Sequence, residues 1–375
     1  MGKADLEYLI LVQDIMKKGV KKSTRSGNVR SVFGRQIRFD LKNDGLPILT
    51  TKKMFHKGCL CELLWFLKGN TNIRELLLNN VHIWDDDAYR FYCEKVKKHN
   101  EVCEFFEQKY EETKNSCYRL PSFSKPMETE TKEDFIKNVL NEKKVFFNEV
   151  PYYLDVSKTN YTYGDLGPVY GKQWRAFGIP QVDQIKDIID KLQNNPDDRR
   201  MLCVAYNPCD VDKMALPPCH VMFQFYTSEM TPMERLDYAW KHGKILDKEF
   251  GNAKQLDEMN IPKRKLSLMW TQRSVDVMLG LPFNILSYAL LTYLVASVCN
   301  MEVDELIGSL GDCHIYENHM EGVNIQLERD PLKYDNKVSV EINPEIKQID
   351  GFTINDIHIV NYESDDKIFF PLSVG

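Results

Sequence analysis

Residues 277–300 carry no charged side chain over 24 positions, a length that could cross a bilayer, and any fold this chain adopts must dispose of that stretch. A membrane span would be more evenly apolar. This run holds Gly280, Pro282, Asn284, Ser287, Tyr288, Thr292 and Ser297, with the proline near its start, where a helix opens. It predicts a helix over about 284–299, buried at the centre of a globular domain with no membrane contact, because a helix apolar on all sides belongs in a core. A chain of 375 residues with 43% hydrophobic and 28% charged side chains can build such a core.

The rest of the pattern says what surrounds it. Leu6, Leu9, Ile10 and Ile15 recur at helical spacing and predict an amphipathic helix ending at Lys17-Lys18-Gly19. Ile37, Phe39 and Leu41 alternate with Arg38 and Asp40, the period of a half-buried strand. Residues 58–67 are apolar nearly all round and belong inside, yet they include Glu62. Thr71-Asn72 offers a cap for a following helix, and Val182, Ile185, Ile188, Ile189 and Leu192 mark another amphipathic one. Strands are expected over 201–206, 220–226, 266–271, 324–328, 338–342 and 357–360. Helices and strands mix irregularly rather than as βαβ units, so the expected class is α+β, with a mixed or antiparallel sheet packed by the long buried helix. Two stretches, about 90–163 and 228–263, are richer in charge and read as insertions on one domain spanning 1–375.

Charge and cysteine usage narrow the function. With 49 Lys+Arg against 55 Asp+Glu the net charge is −6, which argues against DNA held by bulk charge but leaves room for a local basic pocket for one phosphate. Ten cysteines are spread along the chain, and the N-terminal run mixes charges into its apolar residues, unlike a secretory signal. Reduced thiols in the cytoplasm are expected. No C-x-x-C pair occurs, and no metal site is expected.

One cysteine stands apart. Leu216-Pro-Pro-Cys-His220 runs directly into an expected strand, which fixes a thiol beside a histidine at a rigid turn. Most cysteines are simply small buried hydrophobes. A nucleophilic thiolate wants cationic surroundings, and Asp198-Arg199-Arg200 with Gln272-Arg273-Ser274 supplies three arginines.

Taken in order, many separated motifs carry a resemblance. They are Arg25-Ser-Gly27, Glu62-Leu-Leu-Trp-Phe-Leu67, Thr71-Asn72, Ile83-Trp84-Asp85, Asp165-Leu-Gly-Pro-Val-Tyr-Gly171 and Gln173-Trp174-Arg175. Then follow Asp198-Arg-Arg200, Leu216-Pro-Pro-Cys-His220, Gln272-Arg-Ser-Val-Asp276, Leu279-Gly-Leu-Pro-Phe-Asn284 and Leu310-Gly-Asp-Cys-His-Ile-Tyr316. The chain resembles the thymidylate synthase family over about 25–87, 164–227 and 265–330, roughly half its length.

The resemblance implies reductive methylation of dUMP at C5 by 5,10-methylene-tetrahydrofolate. Cys219 would add as a thiolate to uracil C6, turning C5 into a nucleophile towards the one-carbon unit. Tyr170, with waters around Glu62, would relay the C5 proton. The resulting methylene would then take a hydride from the folate, which requires that water be kept out. Arg25, Arg199, Arg200 and Arg273 would grip the phosphate, aided by Ser274, with Arg199 and Arg200 donated by the second subunit of an obligate homodimer formed through the sheet face. His314 and Tyr316, two apart in a strand and so on one face, would hold the ribose 3′-hydroxyl. Asn284 would donate to uracil O4 and accept from N3–H, favouring dUMP over dCMP. Trp84, Asp276, Gly280 and Tyr362 would meet the folate, while His220 and Gln272 would shape the site.

Two departures bear on that expectation. Asp86-Asp87-Ala88 follows Trp84-Asp85 where apolar or amide residues are usual, beside the expected folate site. The tail 361–375 keeps Tyr362, lacks the usual Pro-His-Pro and ends in an added glycine. A tail that closes less well would admit water to the methylene intermediate, so the alternative product is 5-hydroxymethyl-dUMP.

Overall fold

A computed structural model describes residues 3–114, 125–149, 157–244, 253–334 and 337–372. Two compact units divide the chain: Met1–Gly69 with Gln173–Asn207 and Pro218–Gly375, and Asn70–Lys172 with Pro208–Pro217. In chain order the elements begin with α1 (Lys3–Lys18), β1 (Val20–Thr24), β2 (Gly27–Asp40), α2 (Leu41–Asp44) and α3 (His56–Leu67). Next come α4 (Arg74–Leu78), α5 (Asp85–Thr113), α6 (Lys132–Leu140), β3 (Lys144–Glu149), β4 (Ser157–Thr162) and α7 (Tyr170–Arg175). The chain continues with α8 (Gln184–Asn194), β5 (Leu202–Val204), β6 (His220–Glu229), α9 (Pro232–Lys241), α10 (Ala253–Glu258) and β7 (Arg264–Asp276). It closes with α11 (Leu281–Cys299), β8 (Glu302–Tyr316), α12 (Met320–Leu327), β9 (Ser339–Ile342) and β10 (Ile357–Val360).

The first unit is built on a six-stranded sheet in the order β1-β2-β8-β7-β6-β5. Only β7 and β8 run parallel; every other neighbouring pair is antiparallel. A parallel pair needs a crossover, and α11 supplies it, so the uncharged run is the connection that makes the sheet mixed. Along β7 the side chains of Leu266, Leu268, Trp270 and Gln272 are buried, and Trp270 stacks on Tyr288 of α11 at 5.5 Å and 12°. Met269 and Thr271, on the opposite side of the pleat, are only half-buried. The class is α+β, as the mixture of periods implies. α11 is long and apolar enough to cross a membrane, and most of it is buried inside the fold.

Several expectations need correction. The long helix begins at Leu281 rather than near 284, because Pro282 occupies the first turn, where its missing N–H has no partner to lose. The strand expected over 324–328 is helix α12. Val323 and Gln326 turn inward while Ile325 is 41% exposed, a helical rather than an alternating burial. Gly322 lets Phe370 lie directly on this helix: a Cβ there would sit 2.5 Å from its ring. In α1 the buried stripe is Tyr8, Leu9, Leu11, Val12 and Ile15, whereas Leu6 and Ile10 face outward. Asp5 joins that buried face because its carboxylate accepts the backbone and hydroxyl donors of Thr50 and Thr51 at 2.5–3.0 Å. Val182 is exposed ahead of α8, whose cap is the Asp183 side chain. Leu41 starts α2 instead of ending a strand. The helix after Thr71-Asn72 begins at Arg74, whose N–H is accepted by the Asn72 side chain at 3.0 Å.

The second unit has an aromatic interior. Tyr92, Phe135, Phe147, Tyr161 and Tyr163 pack with ring centroids 5.1–6.3 Å apart, joining α5, α6 and the β3–β4 hairpin. Its charged exterior therefore encloses a core. In the second charged stretch, α9 and α10 pack about Ala239, Leu256 and Ile261.

Candidate active site

The Pro217-Pro218 turn ends at Cys219, a half-buried thiol immediately before β6. Arg273 on β7 clamps the turn twice: its backbone N–H donates to the Cys219 carbonyl and its guanidinium Nε to the Pro218 carbonyl, both at 2.8 Å. A guanidinium is thus fixed against the main chain of the turn that carries the thiol. His220 pairs with Gln272 across the sheet, with a bulge between His220 and Met222. Its Nδ1 meets the Tyr288 hydroxyl at 2.7 Å, and its ring lies edge-on to Phe66 at 6.4 Å. Burial pulls the His220 pKa down to about 3, so the ring is neutral at physiological pH and suited to shaping the site.

Asn284 lies in the first turn of α11, its N–H bonded to the Gly280 carbonyl at 3.1 Å. The Gln272 Nε2 donates to Asn284 Oδ1 at 3.1 Å and to the Ser274 carbonyl at 3.0 Å. Asp276, at the end of β7, accepts the N–H groups of Met278 and Leu279 on one oxygen, Oδ1, at 3.1 and 3.0 Å. His314 faces Asp276 in the β7–β8 register, and its carbonyl accepts the Val277 N–H at 3.0 Å. The His314 and Tyr316 rings meet edge-on at 5.3 Å, on one face as their spacing requires. The Tyr316 hydroxyl is pushed up by burial and by the charges of Asp276 and Cys219, against a hydrogen bond with Ser26 and the pull of Arg25. Arg25 and Ser26 form the tip of the β1–β2 hairpin, so the turn joins this group through tertiary pairing. Cys219, Arg273, Gln272, Asn284, Asp276, His314, Tyr316 and Arg25 are brought together.

Glu62 is the one half-buried residue of an otherwise buried stretch of α3. That helix packs on α11 through a Cys59 Sγ contact to the Phe283 carbonyl at 3.4 Å, and the Glu62 charge is felt at Cys59, whose thiol burial raises first. Arg199 and Arg200 behave differently. Both are exposed, and the Arg200 side chain is 80% exposed while forked onto Asp198 at 2.7 Å. Asp198 is thereby held well below the usual carboxylate range. Tyr362 uses its hydroxyl to tie the segment before α3, accepting from the Met54 N–H at 2.9 Å and donating to the Leu49 carbonyl at 3.0 Å. Ser373–Gly375, the end of the altered tail, lie outside the described residues.

In the second unit, Trp84 and Tyr170 are both buried and meet edge-on at 6.2 Å. The three aspartates after Trp84 occupy the first turn of α5, where the helix dipole favours anions. Each also has a cationic or histidine partner: His82 on Asp85 at 2.8 Å, Lys132 on Asp86 at 2.5 Å and Arg90 on Asp87 at 2.6 Å. The Asp86-Asp87-Ala88 departure is therefore a stabilised helix start. The unit also holds a cavity of 680 Å³ lined by Phe91, Lys95, Val102 and Phe105, among others, and by none of the expected site residues.

Two residues of the site escape sequence reasoning. Tyr288 reads as a polar interruption of an apolar run, although its place four after Asn284 puts both on one helical face. Trp270 reads as core filling, and its indole N–H meets Gln272. Among the described residues no three His, Cys, Asp or Glu side chains gather as a metal would require. The model of the family described as thymidylate synthase matches residues 6–374. Members of that family bind dUMP and use 5,10-methylene-tetrahydrofolate as cosubstrate for methyl transfer. The chain belongs to the thymidylate synthase family.

Proposed function

We propose that this chain converts dUMP to dTMP by reductive methylation, with 5,10-methylene-tetrahydrofolate leaving as dihydrofolate. The supporting observation is that two neighbours on β7 tie the candidate groups to one strand: Arg273 clamps the turn that carries Cys219, and Gln272 holds the Asn284 amide. Cys219 Sγ bonds to uracil C6, and the π electrons of the C5–C6 double bond move to C5 and O4. Asn284 donates to O4 as that oxygen gains charge and accepts from N3–H. Arg273 and Arg25 hold the phosphate dianion, Ser274 supports it, and His314 with Tyr316 takes the ribose hydroxyl. Tyr170 and the Glu62 carboxylate carry the C5 proton away before Sγ leaves C6 and restores the double bond. The folate, when bound, supplies the one-carbon unit and the hydride.

The residues fit that cosubstrate: both backbone bonds to Asp276 fall on Oδ1, leaving carboxylate acceptor capacity for pterin N–H donors. Trp84 would offer a ring face, with Gly280 and Tyr362 as further contacts. A homodimer completes the reading. Arg199 and Arg200 are exposed, and Arg200, paired with Asp198 within this copy, would present its guanidinium to a second copy's phosphate site; the half-buried Met222, Gln224, Met269, Thr271 and Ile307 offer a sheet face for pairing.

The deciding experiment incubates the protein with dUMP and methylene-tetrahydrofolate, with mass analysis of the nucleotide and assay of dihydrofolate. Methylated nucleotide with stoichiometric dihydrofolate is expected; a hydroxymethyl product without dihydrofolate refutes the proposal. Cys219→Ser retaining full turnover would remove the nucleophile. Mixing inactive Arg200→Ala and Cys219→Ser chains should restore part of the activity, and a fully active monomer would refute donation in trans.

A further inference from the structure

An asparagine by itself does not choose between uracil and cytosine. Its amide has nearly the same shape in two orientations, and its partners decide which it adopts. In one orientation it donates to uracil O4 and accepts from N3–H. Flipped, it accepts from the cytosine amino group and donates to N3. What selects the pyrimidine is whatever prevents the flip.

We infer that Trp270 sets the reading polarity of Asn284, through Gln272, and so makes the site accept uracil and reject cytosine. The inference rests on the proposed role of Asn284 in reading the base. Trp270 Nε1–H donates to Gln272 Oε1 at 3.2 Å, and an indole N–H can only donate. The Ser274 carbonyl, which can only accept, takes one hydrogen from Gln272 Nε2 at 3.0 Å. Both ends of the Gln272 amide are therefore assigned independently, and the assignments agree. Gln272 is 2% exposed, so solvent cannot rescue a wrong orientation. Its remaining N–H points at Asn284 and meets Oδ1 at 3.1 Å. Asn284 is thereby held with Oδ1 on the Gln272 side, keeping one lone pair and its own N–H groups for the base.

The indole is seated for this task. Trp270 on β7 lies opposite Gly308 on β8, where a Cβ would stand 2.5 and 2.6 Å from ring carbons Cη2 and Cζ2. On its other side the ring stacks on Tyr288. A glycine below and an aromatic above fix the plane of the ring and hence the direction of its N–H. Trp270 is a positioning residue and touches no substrate.

The test replaces Trp270 by β-(3-benzothienyl)alanine, which keeps the bicyclic shape and substitutes sulfur for N–H; Trp270→Phe serves as a second variant. Calorimetric dissociation constants for dUMP and dCMP are compared as a ratio, because the two ligands share ribose and phosphate and general loosening of the site weakens both alike. Loss of one buried hydrogen bond predicts a fall in the dUMP preference of about five- to tenfold. An unchanged ratio, with or without a common loss of affinity, overturns the inference. Asn284→Asp is measured alongside. If it leaves the ratio untouched, base reading by Asn284 itself is wrong; if it shifts the ratio while both Trp270 variants do not, only the relay from Trp270 is wrong.

Discussion

Acid should destabilise this protein through His220, by an amount that follows from its burial. The side chain is 8% exposed, its Nδ1 meets the Tyr288 hydroxyl, and burial alone lowers its pKa from 6.5 to about 3. The unfolded chain therefore binds this proton more tightly than the folded one. Stability from the neutral buried ring is fully present above pH 6.5 and is lost as pH falls toward 3. Each pH unit below 6.5 costs about 1.4 kcal/mol, so the loss is about 2 kcal/mol at pH 5 and about 3 kcal/mol at pH 4. Urea unfolding of wild type and His220→Gln at pH 7.5 and pH 5, at one protein concentration, measures it. Glutamine does not titrate, and its amide can reach Tyr288. Other shifted groups, such as His56 and Asp5, remain in both proteins and cancel in the comparison. Wild type should lose about 2 kcal/mol more than the variant between these pH values. Parallel losses would refute the reasoning, since they would mean that His220 is not held neutral by the fold.

Packing offers three further tests. Gly308→Ala should cost about 1–3 kcal/mol in thermal or urea unfolding, because the new Cβ meets Trp270 at 2.5 Å and Ile37 at 2.9 Å; in a Trp270→Leu background, itself destabilised by the lost ring, the same substitution should cost less. Phe370→Ala removes the ring that lies on Gly322 and edge-on to His319 at 5.3 Å, so tail undocking should become easier by about 2 kcal/mol, visible as faster proteolysis and a raised KM for folate. Tyr362→Phe leaves the Met54 N–H and Leu49 carbonyl without their hydroxyl partner and should cost about 1–3 kcal/mol, read in urea midpoints.

Much of the architecture is legible in the chain because burial and period are local properties. The 277–300 run announces α11, the stretch 58–67 announces α3, and the alternation over 37–40 announces the end of β2. The misreading at 324–328 has a local cause too. Val323, Ile325 and Leu327 alternate as in a strand, and only the inward turn of Gln326, whose side chain donates to Thr51 Oγ1 at 2.9 Å, selects a helix. Residue types that carry chemistry are equally legible: a cysteine after two prolines, an arginine in Gln-Arg-Ser, an asparagine opening a helix.

What the sequence by itself determined, then, is the inventory: which residues are apolar enough to be buried, which repeat with a helix or strand period, and which carry a nucleophile, a cation or an amide. Only the tertiary structure decided who meets whom. Arg273 reaches the Pro218 carbonyl across 55 positions because β6 and β7 pair antiparallel, with His220 opposite Gln272. Burial makes His220 neutral, and the order of donors from Trp270 through Gln272 orients Asn284. The physical reason is that periodicity records how each residue relates to solvent, whereas a hydrogen-bond direction or a shifted pKa belongs to a set of neighbours distant in the chain.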